Sequence, residues 1–145
     1  MAVTVQAITL WRREIENRPG ALADGLGPLA GTDLQVLMAY RYQGHSDKGA
    51  VEVYPITTKK AVGAAQSAGL SESGIPALLV VGDDKPGIGH ASAKAIADAG
   101  INLAFLVALV AGRKYSAVFG FDTEADRKKA STLIKKAQAG TRKTR

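Results

Sequence analysis

Ala77-Leu78-Leu79-Val80-Val81-Gly82-Asp83-Asp84-Lys85-Pro86-Gly87-Ile88-Gly89-His90 reads as an apolar run, an acidic glycine-rich turn and the opening of a helix. The run is too short for a buried helix, carries a β-branched pair and is bounded by Gly and Asp, so it is expected to be a strand. Pro86 suits the first turn of a helix, where its missing N–H leaves nothing unpaired. Ile88, Ala91, Ser92, Ala95, Ile96 and Ala99 then recur at spacings of three and four, a narrow apolar stripe with His90, Lys94 and Asp98 on the opposite face. Gly100 stands where a helix ends in left-handed geometry, and Ile101-Asn102-Leu103 leads into the next strand.

The chain has 145 residues, enough for one ordinary domain or two small ones. It contains no cysteine, which excludes thiol catalysis, zinc–thiolate sites and a disulfide scaffold. No apolar run approaches the roughly 20 residues that cross a bilayer, and the first residues lack a signal pattern, so a soluble cytoplasmic protein is expected. Net charge is +6, and residues 122–145 hold eight Lys and Arg against three Asp and Glu. That excess reads as a solvated helix face followed by a basic, disordered tail at 141–145, rather than as a nucleic-acid surface.

Taken in order, residues 3–11 read as a strand, 12–16 as a charged extension or edge, and Asn17-Arg18-Pro19-Gly20 as a turn. Residues 21–30 form a weaker helix, interrupted by Gly25, Gly27 and Pro28, and closed by Gly31-Thr32-Asp33. Residues 34–42 alternate as a half-buried strand, 43–49 turn with His45 in the loop, and 50–56 form another strand. A helix over 57–68 and a linker or very short strand over 69–76 follow. The order then repeats: strand 77–82, turn, helix to Ala99, strand 103–111, tight turn at Gly112, strand 115–121, and a helix from Thr123, whose Asp126 approximates a capping box. Residues 17–20 register with 84–87, and 31–34 with 100–103, so the chain is an internal duplication of a β-α-β-β-α unit. The strand over 103–111 is apolar on both faces. One face is expected to meet helices and the other a further sheet or a second chain.

The strand, the Asp-Lys-Pro-Gly-Ile-Gly turn and the helix ending Ala-Asp-Ala-Gly-Ile-Asn-Leu resemble the ACT domain, a ligand-sensing module of amino-acid metabolism. Residues 77–139 carry the pattern through Asp84, Pro86, Gly87, Gly100, Ile101 and Asn102, and residues 3–70 carry a divergent copy through Asn17, Pro19, Gly20, Gly31 and Leu34. The resemblance implies an α+β fold of two ferredoxin-like βαββαβ units, over residues 1–72 and 73–140, with antiparallel sheets and helices on one face. The fourth strands are hard to find, since 69–72 and 138–140 are poor candidates. The resemblance also implies effector binding, typically of an amino acid, where the first loop of one unit meets a neighbouring unit. A stand-alone regulator is expected, a homodimer whose output is a regulated enzyme or transcription factor.

The candidate ligand-binding residues are Asp84, Lys85, Pro86, Gly87, Ile88, Gly89, Asn102 and Leu103 in the second repeat, and Asn17, Arg18, Pro19, Gly20 and Asp33 in the first. A helix N-terminus suits a carboxylate, glycines let ligand atoms approach the backbone, and Asp84 and Asn17 would accept from an ammonium. Asn102 and Asp33 would complete the wall. The same residues also serve as ordinary turn formers and caps, and Lys85 and Arg18 read as solvated. Two histidines without clustered carboxylates offer no metal site, and no catalytic set or cofactor motif stands out. Gly87-Ile88-Gly89 lacks the third glycine and the acidic residue of a dinucleotide fingerprint. The alternatives are an RNA-binding module, against which Ala117 stands where a stacking aromatic belongs, and a pure protein-interaction module.

Overall fold

The computed structural model describes residues 3–44 and 47–143, with side chains through Ala139; His45, expected in a loop, lies outside the described residues. Two compact units form, one spanning Thr9–Gly74 and the other joining the N-terminal strand to everything from Ile75 onward. Each is an antiparallel four-stranded sheet with helices, and both have the ferredoxin-like strand order.

The first unit runs β2 (Trp11–Glu16), α1 (Ala21–Leu26) with a 3-10 turn over Gly27–Leu29, β3 (Val36–Arg41), β4 (Lys48–Tyr54), α2 (Lys59–Ser67) and β5 (Ser71–Glu72). Its sheet order is β3-β4-β2-β5. Proline and glycines cut the first helix to six residues, as expected from residues 25–28. Thr58 caps α2 by accepting from the Ala61 N–H at 3.0 Å. The core gathers Trp11, Val51, Val53, Ile56 and Leu29 against the small residues Ala61, Ala65 and Ala68 of and just beyond α2. The short β5 is the fourth strand at the place considered a poor candidate.

The second unit takes β1 (Thr4–Ile8), β6 (Ala77–Asp83), α3 (Ile88–Asp98), β7 (Leu103–Ala111), β8 (Lys114–Phe121) and α4 (Glu124–Lys143), in the order β1-β6-β8-β7. Its core packs Leu78, Val80, Phe119 and Phe121 under Ile96 of α3 and Ile134 of α4. Between these helices the buried Gln138 donates to the buried Ser92 hydroxyl at 3.4 Å. The fourth strand comes from the start of the chain: β1 lies antiparallel to β6, with Val5 opposite Val80.

Several expectations are corrected. Residues 3–11 are not one strand but two, in different sheets, divided at Thr9 and Leu10; the units accordingly differ from 1–72 and 73–140 in where the first eight residues belong. Residues 12–16 continue the strand from Trp11 and pair with β4 throughout, but only Trp11 and Arg12 also pair with β5, so residues 13–16 are an edge as expected; Arg13 there donates to the Ala68 carbonyl at 2.7 Å and Arg12 donates to Tyr42. Residues 138–143 belong to α4, so the tail expected from 141 is helical through Lys143. Pro86 precedes the helix instead of entering it, because α3 starts at Ile88. The strand β7 is exposed along most of its length: only Leu103, which packs against the core, and Phe105, whose ring lies against Gly120, are half-buried. Nine extended residues span about 30 Å, while the eleven residues of α3 reach only about 16 Å.

The two turns before α1 and α3 are superposable in their hydrogen bonding. Gly20 (φ +88°, ψ −15°) and Gly87 (φ +84°, ψ −1°) both cap the following helix from left-handed geometry. The Ala21 N–H donates to the Arg18 carbonyl, and the Ile88 N–H to the Lys85 carbonyl, each at 3.2 Å. Asp24 and Ala91 then donate to Gly20 and Gly87, each at 2.9 Å. Upstream, Asn17 N–H meets the Asp47 carbonyl at 2.9 Å and Asp84 N–H the Arg113 carbonyl at 2.8 Å, the residues just before β4 and β8. This is a type II turn with Pro at its second position and Gly at its third, used twice. The other registered pair differs: Gly100 has φ +76°, whereas Gly31, after a 3-10 turn, has no positive φ.

Gly87→Ala should destabilise the protein by about 1–2 kcal/mol because φ is left-handed there. Gly89→Ala, two residues on and inside α3 with nothing within 4 Å of an added Cβ, should stabilise it by about 0.5–1 kcal/mol. Urea unfolding of the two variants checks both signs.

Candidate functional site

The loop 84–89 presents Asp84, Pro86 and Gly87 to solvent and holds Lys85 and Gly89 half-exposed. Ile88 is different: it is a core residue, and its side chain anchors the helix start. Its N–H is already spent on Lys85, which leaves the Gly89 and His90 amides as first-turn donors without an intrahelical acceptor. Added Cβ atoms at Gly87 and Gly89 would meet nothing within 4 Å, so the backbone there is open to approach. Just before the loop, Lys114 binds Asp83 at 2.9 Å, and its hydrogen bond holds the Asp83 carboxyl below the usual carboxylate range.

The loop 17–20 has the same backbone and different surroundings. Arg18, expected to be merely solvated, is ion-paired with Glu16 at 3.0 Å and Asp24 at 3.4 Å. The hydrogen bond to Glu16, then that to Asp24, raises its guanidinium pKa further. The helix behind it is one and a half turns long, against three in the second unit.

The strand-start residues do not join their own unit's loop. Gly87 precedes α3 and Asn102 follows it, so the length of the helix, about 16 Å, separates them. Asn102 is exposed and Leu103 packs against the core. Asp33 likewise follows α1 and its 3-10 turn while residues 17–20 precede it. It lines a concavity of about 180 Å³ with Thr32, Thr57, Thr58 and Lys60. Those partners escaped sequence reading; the Thr-Thr-Lys-Lys run that leads into α2 was their only trace.

A second arrangement was also missed. Glu52, 1% exposed, accepts from the Tyr40 hydroxyl at 2.8 Å through Oε2, while Oε1 has no hydrogen-bond partner. Tyr40 and Tyr42 have ring centroids 6.0 Å apart, and the Arg12 guanidinium sits 5.9 Å from the Tyr42 ring centre and donates to its hydroxyl. The signal was a lone glutamate inside Ala50-Val51-Glu52-Val53-Tyr54, across from two tyrosines. Burial and then the Glu52 hydrogen bond push the Tyr40 phenol above its ordinary pKa; burial does the same to Tyr115, whose hydroxyl has no partner. Ala117, where an RNA-stacking aromatic would stand, is 1% exposed and lies in the core of its unit. Among the described residues no group of three or more His, Asp or Glu is placed to hold a metal, and no helix is long and apolar enough to cross a membrane.

No protein-family model matches the sequence, and no curated protein does. Solved structures do share the fold. Protein BT0572 from Bacteroides thetaiotaomicron is 14% identical with a TM-score of 0.72, the match covering 92% of this chain and 90% of that one. The regulatory subunit of aspartate kinase from Thermus thermophilus, in its ligand-free form, is 15% identical at a TM-score of 0.60 over 94% of this chain and 97% of that one. The corresponding subunit from Thermus flavus is 16% identical at 0.58, with the same coverage. The chain therefore shares the fold of these structures, the two ferredoxin-like units expected from the doubled turn.

Tyr40→Phe should cost about 1–3 kcal/mol by removing the donor to buried Glu52, whereas Tyr115→Phe should be neutral or stabilising because it deletes an unpartnered hydroxyl. Both folded-state phenol pKa values are raised, so the stability tied to the neutral phenols is complete below about pH 10 and is lost as the pH climbs through the raised values. Tyrosinate absorbance should show Tyr40 and Tyr115 titrating late, and Tyr40→Phe should remove part of that late component.

Proposed function

We propose that this protein is a non-catalytic regulator that binds a free amino acid at the Pro-Gly turns preceding α1 and α3, with the turn before α3 as the stronger site. The observation that carries the proposal is the pair of turns with matching hydrogen bonds, set into a fold shared with regulatory subunits of aspartate kinase. The exposed amides of Gly89 and His90 and the dipole of an eleven-residue helix favour the ligand carboxylate. The exposed Asp84 favours its ammonium. Asn102, Leu103 and Asp33 contribute nothing to the ligand held by their own unit's turn. The regulated partner is an enzyme of amino-acid metabolism, by analogy with the aspartate kinase subunits, and the protein acts in the cytoplasm.

The assembly is a homodimer through β7. This edge strand bonds β8 on one side only, and it contains no charged residue or proline. Its Leu106, Val107, Leu109 and Val110 are between 39% and 69% exposed, and charge and proline are the usual guards of a lone edge. A second β7, antiparallel across a two-fold axis, satisfies both strands.

Thermal-shift screening against the standard amino acids should find one that stabilises by about 2.7 kcal/mol at 100 times its dissociation constant. Asp84→Ala should abolish that shift and leave the ligand-free melting temperature unchanged. A full set of null responses, or an Asp84→Ala variant that responds normally, refutes the site. Separately, light scattering should report a dimer for the native chain and a monomer for Leu109→Lys.

A further inference from the structure

We propose that the solvent face of α4 docks an acidic amphipathic helix of a partner protein. The charge of the chain is unevenly placed. Residues 9–74 hold seven Lys and Arg and seven Asp and Glu, while residues 75–145 hold twelve against six, so the whole net charge of +6 lies in the second unit. Its densest part is α4, where Lys128, Lys129, Lys135 and Lys136 are all exposed.

The helix cannot turn this face away. Ala130, Ile134 and Gln138 on the opposite side are buried to 2% exposure or less, which fixes its rotation on the sheet. At about 100° per residue, Lys128 and Lys135 fall in one row and Lys129 and Lys136 in another, the two lysines of each row about 10.5 Å apart. Between the rows stand Thr132 and the short Ala125 and Ala139, all exposed and uncharged. Three other cations of the unit are neutralised locally: Lys94 by Asp98 at 3.1 Å, Lys114 by Asp83 at 2.9 Å, and Arg127 by Glu124. None of the four lysines has an ion pair among the described residues.

The geometry selects the kind of polyanion. A helix with Asp or Glu seven residues apart in two flanking rows repeats at the same 10.5 Å or so, and short side chains between the lysine rows permit the close approach of two helices, about 8–10 Å between axes. A nucleic acid finds a poorer match, because the face offers no aromatic, Asn, Gln or Arg side chain for a base edge or ring. Effector binding and this docking are separable, since they use different residues.

The probe is a fluorescent helical peptide with Glu at every seventh position on both flanks of an alanine stripe. It is compared with a scrambled peptide of the same composition and with a single-stranded oligonucleotide of equal charge. The intact chain should bind the patterned peptide, more weakly as salt rises from about 50 to about 200 mM. Replacing Lys128, Lys129, Lys135 and Lys136 together by Gln should weaken binding about tenfold or more, the effect of four exposed ion pairs, with the circular dichroism spectrum unchanged. The same change at Lys48, Lys59, Lys60 and Lys94 should leave it nearly intact. Equal affinity for the scrambled peptide, tighter binding of the oligonucleotide, or an unaffected α4 variant would overturn the proposal.

Discussion

The strand β6 needs a neighbour on each side, and the rest of the fold follows from where the chain finds the second one. Its residues are buried on both faces along most of its length, which no edge strand tolerates. One side pairs with β8 over seven residues. The other takes Thr4–Ile8, about seventy residues away in sequence, and three further contacts hold that strand in place. Val3 and Val5 pack into the core of the unit, Val3 lies over Gly82, where an added Cβ would meet it at 3.4 Å, and Arg127 of α4 donates to the Ile8 carbonyl at 3.4 Å. In sequence, the first unit is thus an insertion between the fourth strand of the second and the remainder of it. Such a pairing is strongly non-local, Thr4 with Val81 and Ile8 with Ala77, and pairing of that kind is slow to form.

Within that frame the duplicated turn explains why two dissimilar sequences give the same corner. Pro fixes φ at one position, Gly supplies a positive φ at the next, and the chain leaves the strand and enters the helix without a side-chain cap. What differs lies around the turn. In the first unit Arg18 is clamped by two carboxylates and the helix breaks after six residues, so little field is aimed outward. In the second the helix is eleven residues long, and Gly87 and Gly89 put no side chain over its opening. Identical backbones can therefore differ in their capacity to hold an anion.

Much of this was legible in the sequence because it is written in local chemistry. The Pro-Gly turns, the glycine ending α3, the alternation over residues 34–42 and the strand over residues 77–82 all depend on residues near one another. Residues 3–11 failed for the complementary reason. Nothing in Val3-Thr4-Val5-Gln6-Ala7-Ile8-Thr9-Leu10-Trp11 reveals that the first part pairs with β6 and the last residue with β4, since both halves are good strand sequence. The candidate site was legible in the same uneven way. The two turns were recognisable as turns, yet their separation from Asn102 and Asp33 is a property of helix length and sheet topology. The core position of the Ile88 side chain was hidden because an apolar residue next to a turn looks the same whether it faces core or solvent. Glu52 and Tyr40 were invisible as a pair, because the register that brings β3 alongside β4 is set by the whole sheet.

The two units share a fold but not a surface. The first balances its charges and satisfies many of them internally, through Arg18 with Glu16 and Asp24, Arg13 with a helix-end carbonyl, and Arg12 with Tyr42. The second leaves its groups outward: an uncharged apolar edge along β7, a lysine-rich face on α4 and an open turn before α3. These three features do not compete for the same atoms, because a ferredoxin-like unit presents its strand edge, its helix face and its loop end in different directions. A charged residue on β7 would protect that edge at no cost to the core, and none is there. Four lysines on one helix face repel one another, yet no carboxylate is interleaved among them. Both patterns forgo stability and solubility that ordinary substitutions would supply, which is the physical signature of surfaces kept for contact.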